Sequence, residues 1–559
     1  MYGVDEAPPL LATFVNGVQH VGVLAIFLVY PLLVFRVAGL PVPLVSNLLA
    51  IALLVTGIGT LIQAMRLGPM GSGYLCPCAF NGAYLGPSLL AVSAGGVPVL
   101  FGMTLFAGAF QAALANVFDR MRPLFPPELS GVVIFIIGWT AAMAALRTLL
   151  GVDAVGIRAE EFWVSVITLA AMVALNVWGT RELRMLSALF GLGIGYLAAA
   201  AFGLLGSAQL SLVAEMPWIG LPHFDHVSWA FDASLVLPFA IAALAVAMHA
   251  LGTMTMCQRM NDAEWVRVDM RSAKRGVLSV SAATIIGGAV GSLGTGASAS
   301  SVGLAVATGV ASRRVAYATG LVLLLLSLTP KLAAILAIMP RPVMVAALVF
   351  AVSFVMINGL QVMTSRLLDA RRTLVIGLSI VAGGAIEVFP QLASSAPRVL
   401  APLLASPLAS STVLALVLNL LFRIGVKRTV TVAVDRDDVD PEKIEKLFSA
   451  SGAAWGARPD VVNRATFGVI QLIDAIRQTC WLSGPIRIGA SFDEFNLDVR
   501  ATYTGELLEF PQERPSNVAI STTDEGARLL AGFMLRRCAD RLRSESQDNR
   551  ATVFLHYDH

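Results

Sequence analysis

Between Leu11 and about Arg423 the chain alternates long apolar stretches with short polar ones. The apolar stretches run about 17 to 25 residues, the length of helix that crosses roughly 30 Å of hydrocarbon, and the pattern predicts about fourteen spans. Two of them break the rule of continuous apolar helix. YLCPCAFNGAYLGPSLL, residues 74–90, is interrupted by Pro77, Asn81, Gly82, Gly86 and Pro87. From Gly294 the run GTGASASSVG carries no side chain larger than valine. The first break falls in the third span and the second in the tenth, matching places if the spans form two repeats of seven. An odd number of spans per repeat inverts the second copy, and paired breaks of this kind point to a transporter site.

Irregular backbone at membrane depth is tolerated only where it is buried in protein or lines a polar cavity. Gly294, Gly296 and Ala297 would let a ligand or another chain approach the backbone closely, while Ser298, Ser300 and Ser301 offer hydroxyls. Gly and Ser also favour plain helix packing, and serine in a helix often bonds its own i−4 carbonyl. The matching break in the third span favours the site. Asn81 is expected to cap or kink that segment. Gln19 has two open roles, bonding substrate or bonding a neighbouring carbonyl. Glu387 reads as an interface residue near the outer end of the thirteenth span.

Composition agrees with the pattern: 57% of residues are hydrophobic, 13% are charged and mean hydropathy is +0.76, far from a soluble chain. The first ten residues hold Asp5 and Glu6 but no Lys or Arg, which does not resemble a cleaved signal. With a cytoplasmic N-terminus, the inner loops receive roughly three times the basic residues of the outer ones, which hold Arg36, Arg147, Arg158, Lys331, Arg341 and Arg398. That bias places both termini in the cytoplasm of a multi-pass protein of the inner or plasma membrane. The net charge of +3 then follows from topology and calls for no nucleic-acid partner. Five cysteines, Cys76, Cys78, Cys257, Cys480 and Cys538, make a disulfide framework unexpected, and Cys76-Pro-Cys78 has the wrong spacing for a metal or redox pair. No cofactor is expected.

The composition changes between Arg423 and Asp435. Residues 1–425 are expected to form the transmembrane domain and 426–559 a small cytoplasmic α/β domain. In the latter, the pattern predicts a strand at TVTVAV, a helix from Pro441, a helix over RATFGVIQLIDAIRQ, half-buried strands over PIRIGASF and NLDVRATYTGELLEF, and a last helix from about Thr523. The order faintly resembles the ATP-binding domain of histidine kinases, but Asp524-Glu525-Gly526 is a poor match to its Gly-rich boxes. A regulatory or dimerising module without catalysis is expected.

The segment Arg275 to Leu348, with Thr308-Gly309-Val310-Ala311-Ser312-Arg313 at its centre, resembles the uracil/xanthine permease family, also called nucleobase/ascorbate transporters. Supporting matches are Gln19-His20, Tyr84-Leu85-Gly86-Pro87-Ser88, LSGVVIFIIGW from Leu129 and LRMLSALFGLGIGYL from Leu183. The resemblance implies an all-α polytopic fold of fourteen transmembrane segments in two inverted repeats, with spans one to four and eight to eleven as a core that moves against a gate. Substrate would sit between the third and tenth segments, where Ser88 and Leu89 join the candidates. It also implies a homodimer. The chain departs from the family where its carboxylates are expected: aligned on Gly252, His249 stands in place of a Glu on the eighth span, and Ser300 in place of a Glu or Gln on the tenth. A neutral imidazole at His249, with His20 as a neighbour across the core, would then take part in recognition.

The expectation is a secondary-active carrier of a nucleobase of the xanthine, urate or uracil type, not an enzyme, coupled to protons or sodium. A small-anion carrier or channel on the same fold and a membrane-anchored nucleotide-binding sensor are the alternatives.

Overall fold

The computed structural model describes residues 2–66, 68–117, 127–150, 158–180, 183–184, 186–262, 265, 268–364, 368, 370–394, 397, 401–404, 406–422, 428–434, 440–455, 457, 459–479, 484–493, 496–513, 524–547 and 550–558. Of the residues named above, Cys480, Arg398, Arg423, Asp435 and Thr523 lie outside these. Two compact units, Met1–Asn419 and Leu420–His559, make up the chain.

In the first unit the long helices are α1 (Leu10–Ala25), α2 (Val29–Val37), α3 (Val42–Ala64), α4 (Leu85–Ala115), α5 (Pro127–Leu150), α6 (Ala159–Val177), α7 (Ser187–Ala201), α8 (Val236–Asn261) and α9 (Met270–Val290). After them come α10 (Ala299–Thr308), α11 (Arg313–Ser327), α12 (Pro330–Ala337), α13 (Arg341–Met363), α14 (Ala370–Val388) and α15 (Pro407–Phe422). Among the described residues, seven helical stretches are long and apolar enough to cross a membrane, or eight if α11 and α12, bent by 83° at their junction, count as one. The protein is therefore mostly helical and polytopic.

The sequence breaks appear where they were expected. A stretch of 34 residues from Gly82 to Ala115 would be about 50 Å long as unbroken helix, well beyond a bilayer core. It is divided at Gly95 and Gly96, whose backbones are not helical; Gly96 sits at φ +73°, a region glycine enters without steric cost. Ahead of it, Cys78–Phe80 forms a three-residue strand, β1, which pairs antiparallel with β2, Thr295–Ala297, the strand that precedes α10. The ladder sets Cys78 opposite Ala297, Ala79 opposite Gly296 and Phe80 opposite Thr295.

Two extended strands in the middle of an apolar unit need hydrogen-bond partners on their outer edges. Threonines of the flanking helices supply them. The Cys78 N–H donates to Thr60 Oγ1 of α3 at 3.1 Å, and the Thr295 N–H donates to Thr284 Oγ1 of α9 at 3.1 Å.

The Thr308–Arg314 motif has a structural task as well. Gly309, at φ +71°, ends α10 in the left-handed conformation. The N-terminal segment then runs along the motif: Tyr2 N–H donates to Gly309 O at 2.8 Å, Ala311 N–H to Tyr2 O at 2.8 Å, and Arg313 N–H to Val4 O at 3.0 Å. Ser312 Oγ donates to Glu6 O at 2.6 Å and Arg313 pairs with Asp5.

Helix α14 is tied to α5 at both ends, by Arg372 to Glu128 at 3.2 Å and by Glu387 to Arg147 at 3.0 Å. Glu128 and Glu387 are both buried, so each carboxylate is held by an arginine rather than left to bear its desolvation alone. Since starts meet and ends meet, the two helices run parallel.

The second unit is a five-stranded antiparallel sheet of β3 (Arg428–Val434), β4 (Ile486–Phe492), β5 (Asn496–Thr504), β6 (Arg541–Gln547) and β7 (Arg550–Asp558), in the order β3-β4-β5-β7-β6. Helices α16 (Pro441–Trp455), α17 (Pro459–Thr479) and α18 (Asp524–Leu535) share one core with it, built on alternate strand residues such as Ile486, Ile488, Val499, Val553 and Leu555. The first strands and all three helices lie where the pattern predicts. The second predicted strand ends at Thr504 rather than Phe510, and β6 and β7 follow where no strand was expected. Asp524, Glu525 and Gly526 open helix α18 rather than forming a glycine-rich loop.

Candidate functional site

A cavity of about 950 Å³ lies in the first unit where β1 and β2 cross. One wall is the crossing itself: Ala79, Phe80, Asn81 and Gly82 from the third segment, and Ala297, Ser298, Ala299 and Ser300 from the tenth. His249 of α8 and Tyr30 of α2 flank it. The rest of the lining includes the apolar Ile134 and Ile137 of α5 and Phe350 and Phe354 of α13, and the polar Asn358, Gln361, Asn176, Ser187 and Arg184. Among the described lining residues Arg184 is the only charged one, and no carboxylate is present.

Each half of the crossing starts its helix with a side-chain cap. Asn81 accepts from the Ala83 N–H at 3.0 Å and so opens the short turn Gly82–Tyr84 that leads into α4. Ser298 Oγ accepts from the Ser301 N–H at 3.3 Å and opens α10. A helix start carries unpaired N–H groups and partial positive charge. The start of α10 lines the cavity through Ser298, Ala299 and Ser300, where it favours a carbonyl oxygen or an anion.

His249 is held from the third segment. Asn81 Nδ2 stands 3.2 Å from His249 Nδ1, and Thr253 one turn on returns its hydroxyl to the His249 carbonyl at 2.9 Å. The space for Asn81 comes from Gly296 across the ladder: a Cβ there would lie 2.6 Å from Asn81 Nδ2. Gly294 plays the same part for Tyr84, whose ring would be 2.3 Å from an added Cβ.

Of the residues singled out in the sequence, the cavity brings together His249, Ser298 and Ser300, with Asn81, Gly82 and Ala297 beside them. Gly296 stands behind Asn81, and Ser301 is fully buried inside α10 with its hydroxyl unbonded. Gln19, His20, Ser88 and Leu89 are not on the cavity wall. His20 is buried with Nδ1 unbonded, and Ser88 is buried with Oγ unbonded. Sequence reasoning gave Asn81 only a capping role and passed over Tyr30, Asn358, Gln361 and Arg184. Asn81 and His249 are 168 residues apart, and no local pattern joins them.

Among the described lining residues the polar groups are amides, hydroxyls, His249 and Arg184, a set that can bind a polar ligand. The comparisons agree. The chain belongs to the Permease family of the xanthine/uracil model, which matches residues 11–392. It is a membrane permease and not an enzyme. Xanthine permease XanP of Escherichia coli (strain K12) is 25% identical over 438 residues, covering 76% of this chain and 94% of XanP. Uric acid permease PucJ of Bacillus subtilis (strain 168) is 27% identical over 435 residues, covering 75% and 94%. The structure of murine Solute Carrier 26 family member A9, an anion transporter in the inward-facing state, aligns with a TM-score of 0.50 at 12% identity, over 78% of this chain and 73% of that one. That last likeness is one of fold.

Proposed function

We propose that the protein is a secondary-active nucleobase transporter of the xanthine, urate or uracil type, working by alternating access, with its substrate in the cavity at the β1–β2 crossing. The observation that carries this reading is the crossing itself, in a chain whose relatives are xanthine and uric acid permeases. Flat heterocycles with carbonyl edges suit it: the α10 start offers N–H groups and hydroxyls, and Phe80, Phe350 and Phe354 offer ring faces for stacking.

In this reading the chain has fourteen segments in two inverted repeats of seven. The pairs Thr60 and Thr284, and Asn81 and Ser298, hold equivalent positions and support the repeat. Spans one to four and eight to eleven form the core; the rest, including the α5 and α14 pair, form the gate. Both termini are cytoplasmic, and the cavity reaches Gln361 near the end of α13 and Arg184 between α6 and α7, both on the cytoplasmic side in this topology, which makes the conformation inward-facing. His249, Ser298 and Ser300 contact substrate, Gly296 and Ser301 shape the wall, and Gln19, His20, Ser88 and Leu89 support the core behind it. Residues 1–425 transport, residues 426–559 are a regulatory or dimerising domain, and the coupling ion is a proton or sodium.

The test is uptake of radiolabelled xanthine, urate and uracil into proteoliposomes, with thermal stabilisation of the purified full-length protein by the same compounds. A ligand that binds only the folded state raises its stability by mass action. His249→Ala is expected to abolish saturable uptake while the protein inserts and folds; normal uptake by that variant would sink the assignment of the site. Among the described lining residues there is Arg184 and no carboxylate, which favours a second reading, a small-anion carrier, so bicarbonate and sulfate belong in the panel. Stabilisation by these alone would replace the nucleobase reading.

A further inference from the structure

The donor and acceptor roles at the centre of the site are set by the chain itself. Asn81 Oδ1 is committed to the Ala83 N–H at 3.0 Å, so the atom turned toward His249 is the amide nitrogen, 3.2 Å from Nδ1. An amide nitrogen only donates. His249 Nδ1 must therefore present its lone pair, and a neutral imidazole with a lone pair on Nδ1 carries its proton on Nε2. No described residue bonds to Nε2, and the ring lies on the cavity wall. Gly296 preserves the arrangement, because a Cβ at that position would stand 2.6 Å from Asn81 Nδ2 and 3.1 Å from Asn81 Cβ.

We propose that Asn81, seated against Gly296, locks His249 in the Nε2–H tautomer, so that this position selects substrates presenting a hydrogen-bond acceptor, a carbonyl oxygen or a deprotonated ring nitrogen, and not an N–H edge. The inference rests on the cavity being the substrate site, and it narrows the class of ligand that the site takes. Ser300 and the α10 start lie on the same wall. Substrates with two acceptors, one toward His249 and one toward α10, are therefore preferred over those that must donate to His249. Asn81 acts as a positioning residue, through the ring it orients.

The test uses full-length protein carrying ¹⁵N-labelled histidine in lipid nanodiscs, with the His249 signals identified by their absence in His249→Gln. The wild type is expected to show a neutral ring with Nε2 protonated. Asn81→Asp keeps an oxygen for the Ala83 N–H and turns an acceptor toward Nδ1, so the proton is expected to move to Nδ1. A wild-type ring protonated on Nδ1, or an unchanged proton position in a folded Asn81→Asp protein, would overturn the proposal. A merely structural asparagine would not relocate the proton. In parallel, xanthine binding is measured by calorimetry. His249→Gln can still present an N–H donor and should stay within about tenfold of wild type, whereas His249→Glu, an acceptor only when ionised, should lose about a hundredfold at a pH where the carboxyl is ionised. Equal binding by the two variants, with His249→Ala inactive, overturns the polarity while leaving the site reading intact. Absence of xanthine and urate binding to the wild type overturns the nucleobase reading, and the nitrogen spectra still decide the tautomer.

Discussion

The β1 segment and the β2 segment, read in the sequence as the third and tenth spans, are built alike and used differently. Each is a three-residue strand, a side-chain cap and a helix, and each strand is braced from outside by a threonine hydroxyl, Thr60 for one and Thr284 for the other. In the tenth, the cap opens directly into a helix of ten residues whose first turn faces the cavity. In the third, the cap residue also reaches sideways to His249, and the helix runs on through the Gly95–Gly96 break. One scaffold thus yields a contacting half and a positioning half. Cap choice accounts for the division, since a capping serine has only its own O–H left to offer, close to its helix, while an asparagine amide has a second end that reaches a neighbouring segment.

The largest effect that would break this symmetry is at the glycines of β2. Gly294→Ala places a Cβ 2.3 Å from the ring of Tyr84, a side chain that is 1% exposed, and over-packing of this kind costs about 1–3 kcal/mol or more. Loss of folded protein on purification, or a lowered melting temperature, is the expected outcome. Wild-type stability would mean that the two segments are not in the close contact described.

Next come the braces. Thr60→Val or Thr284→Val leaves a buried strand N–H without its acceptor, at a cost of about 1–3 kcal/mol. If the braces are equivalent, the two variants lower the melting temperature by similar amounts. A large loss for one and none for the other would show that only one strand depends on its neighbour.

How much of this could be read beforehand follows from the range over which each signal acts. Both breaks were legible, because proline, glycine and serine runs inside apolar segments are local features of composition. His249 was legible through its place in an aligned helix. Its link to Asn81 was not, since hydrogen bonds between distant segments leave no periodicity in a single chain. Asn358 and Gln361 come from α13, a uniformly apolar helix with no motif at those positions, and Arg184 lies in a stretch that was read for its family likeness and not for its side chain. In the second unit, β7 alternates Ala551, Val553, Leu555 and Tyr557 inward, a pattern that was open to reading. Its partner β6, RLRSESQ, turns one apolar residue, Leu542, to the core and is otherwise polar as an edge strand, and edges defended by charge hide the hairpin they belong to.

The smallest and most discriminating change is to the caps. Ser298→Ala removes the acceptor for the Ser301 N–H, worth about 1 kcal/mol of helix stability, and should weaken substrate binding several-fold because the start of α10 is part of the wall. Ser298→Asn instead rebuilds the tenth segment's cap with the third segment's residue. If cap choice is what separates the two halves, this variant keeps the wild-type melting temperature yet binds substrate less well, because the second end of the amide now projects into the cavity that Ser300 and Ala299 leave open. Wild-type affinity in Ser298→Asn, measured by calorimetry with xanthine, would assign the division of labour to His249 alone and not to the caps.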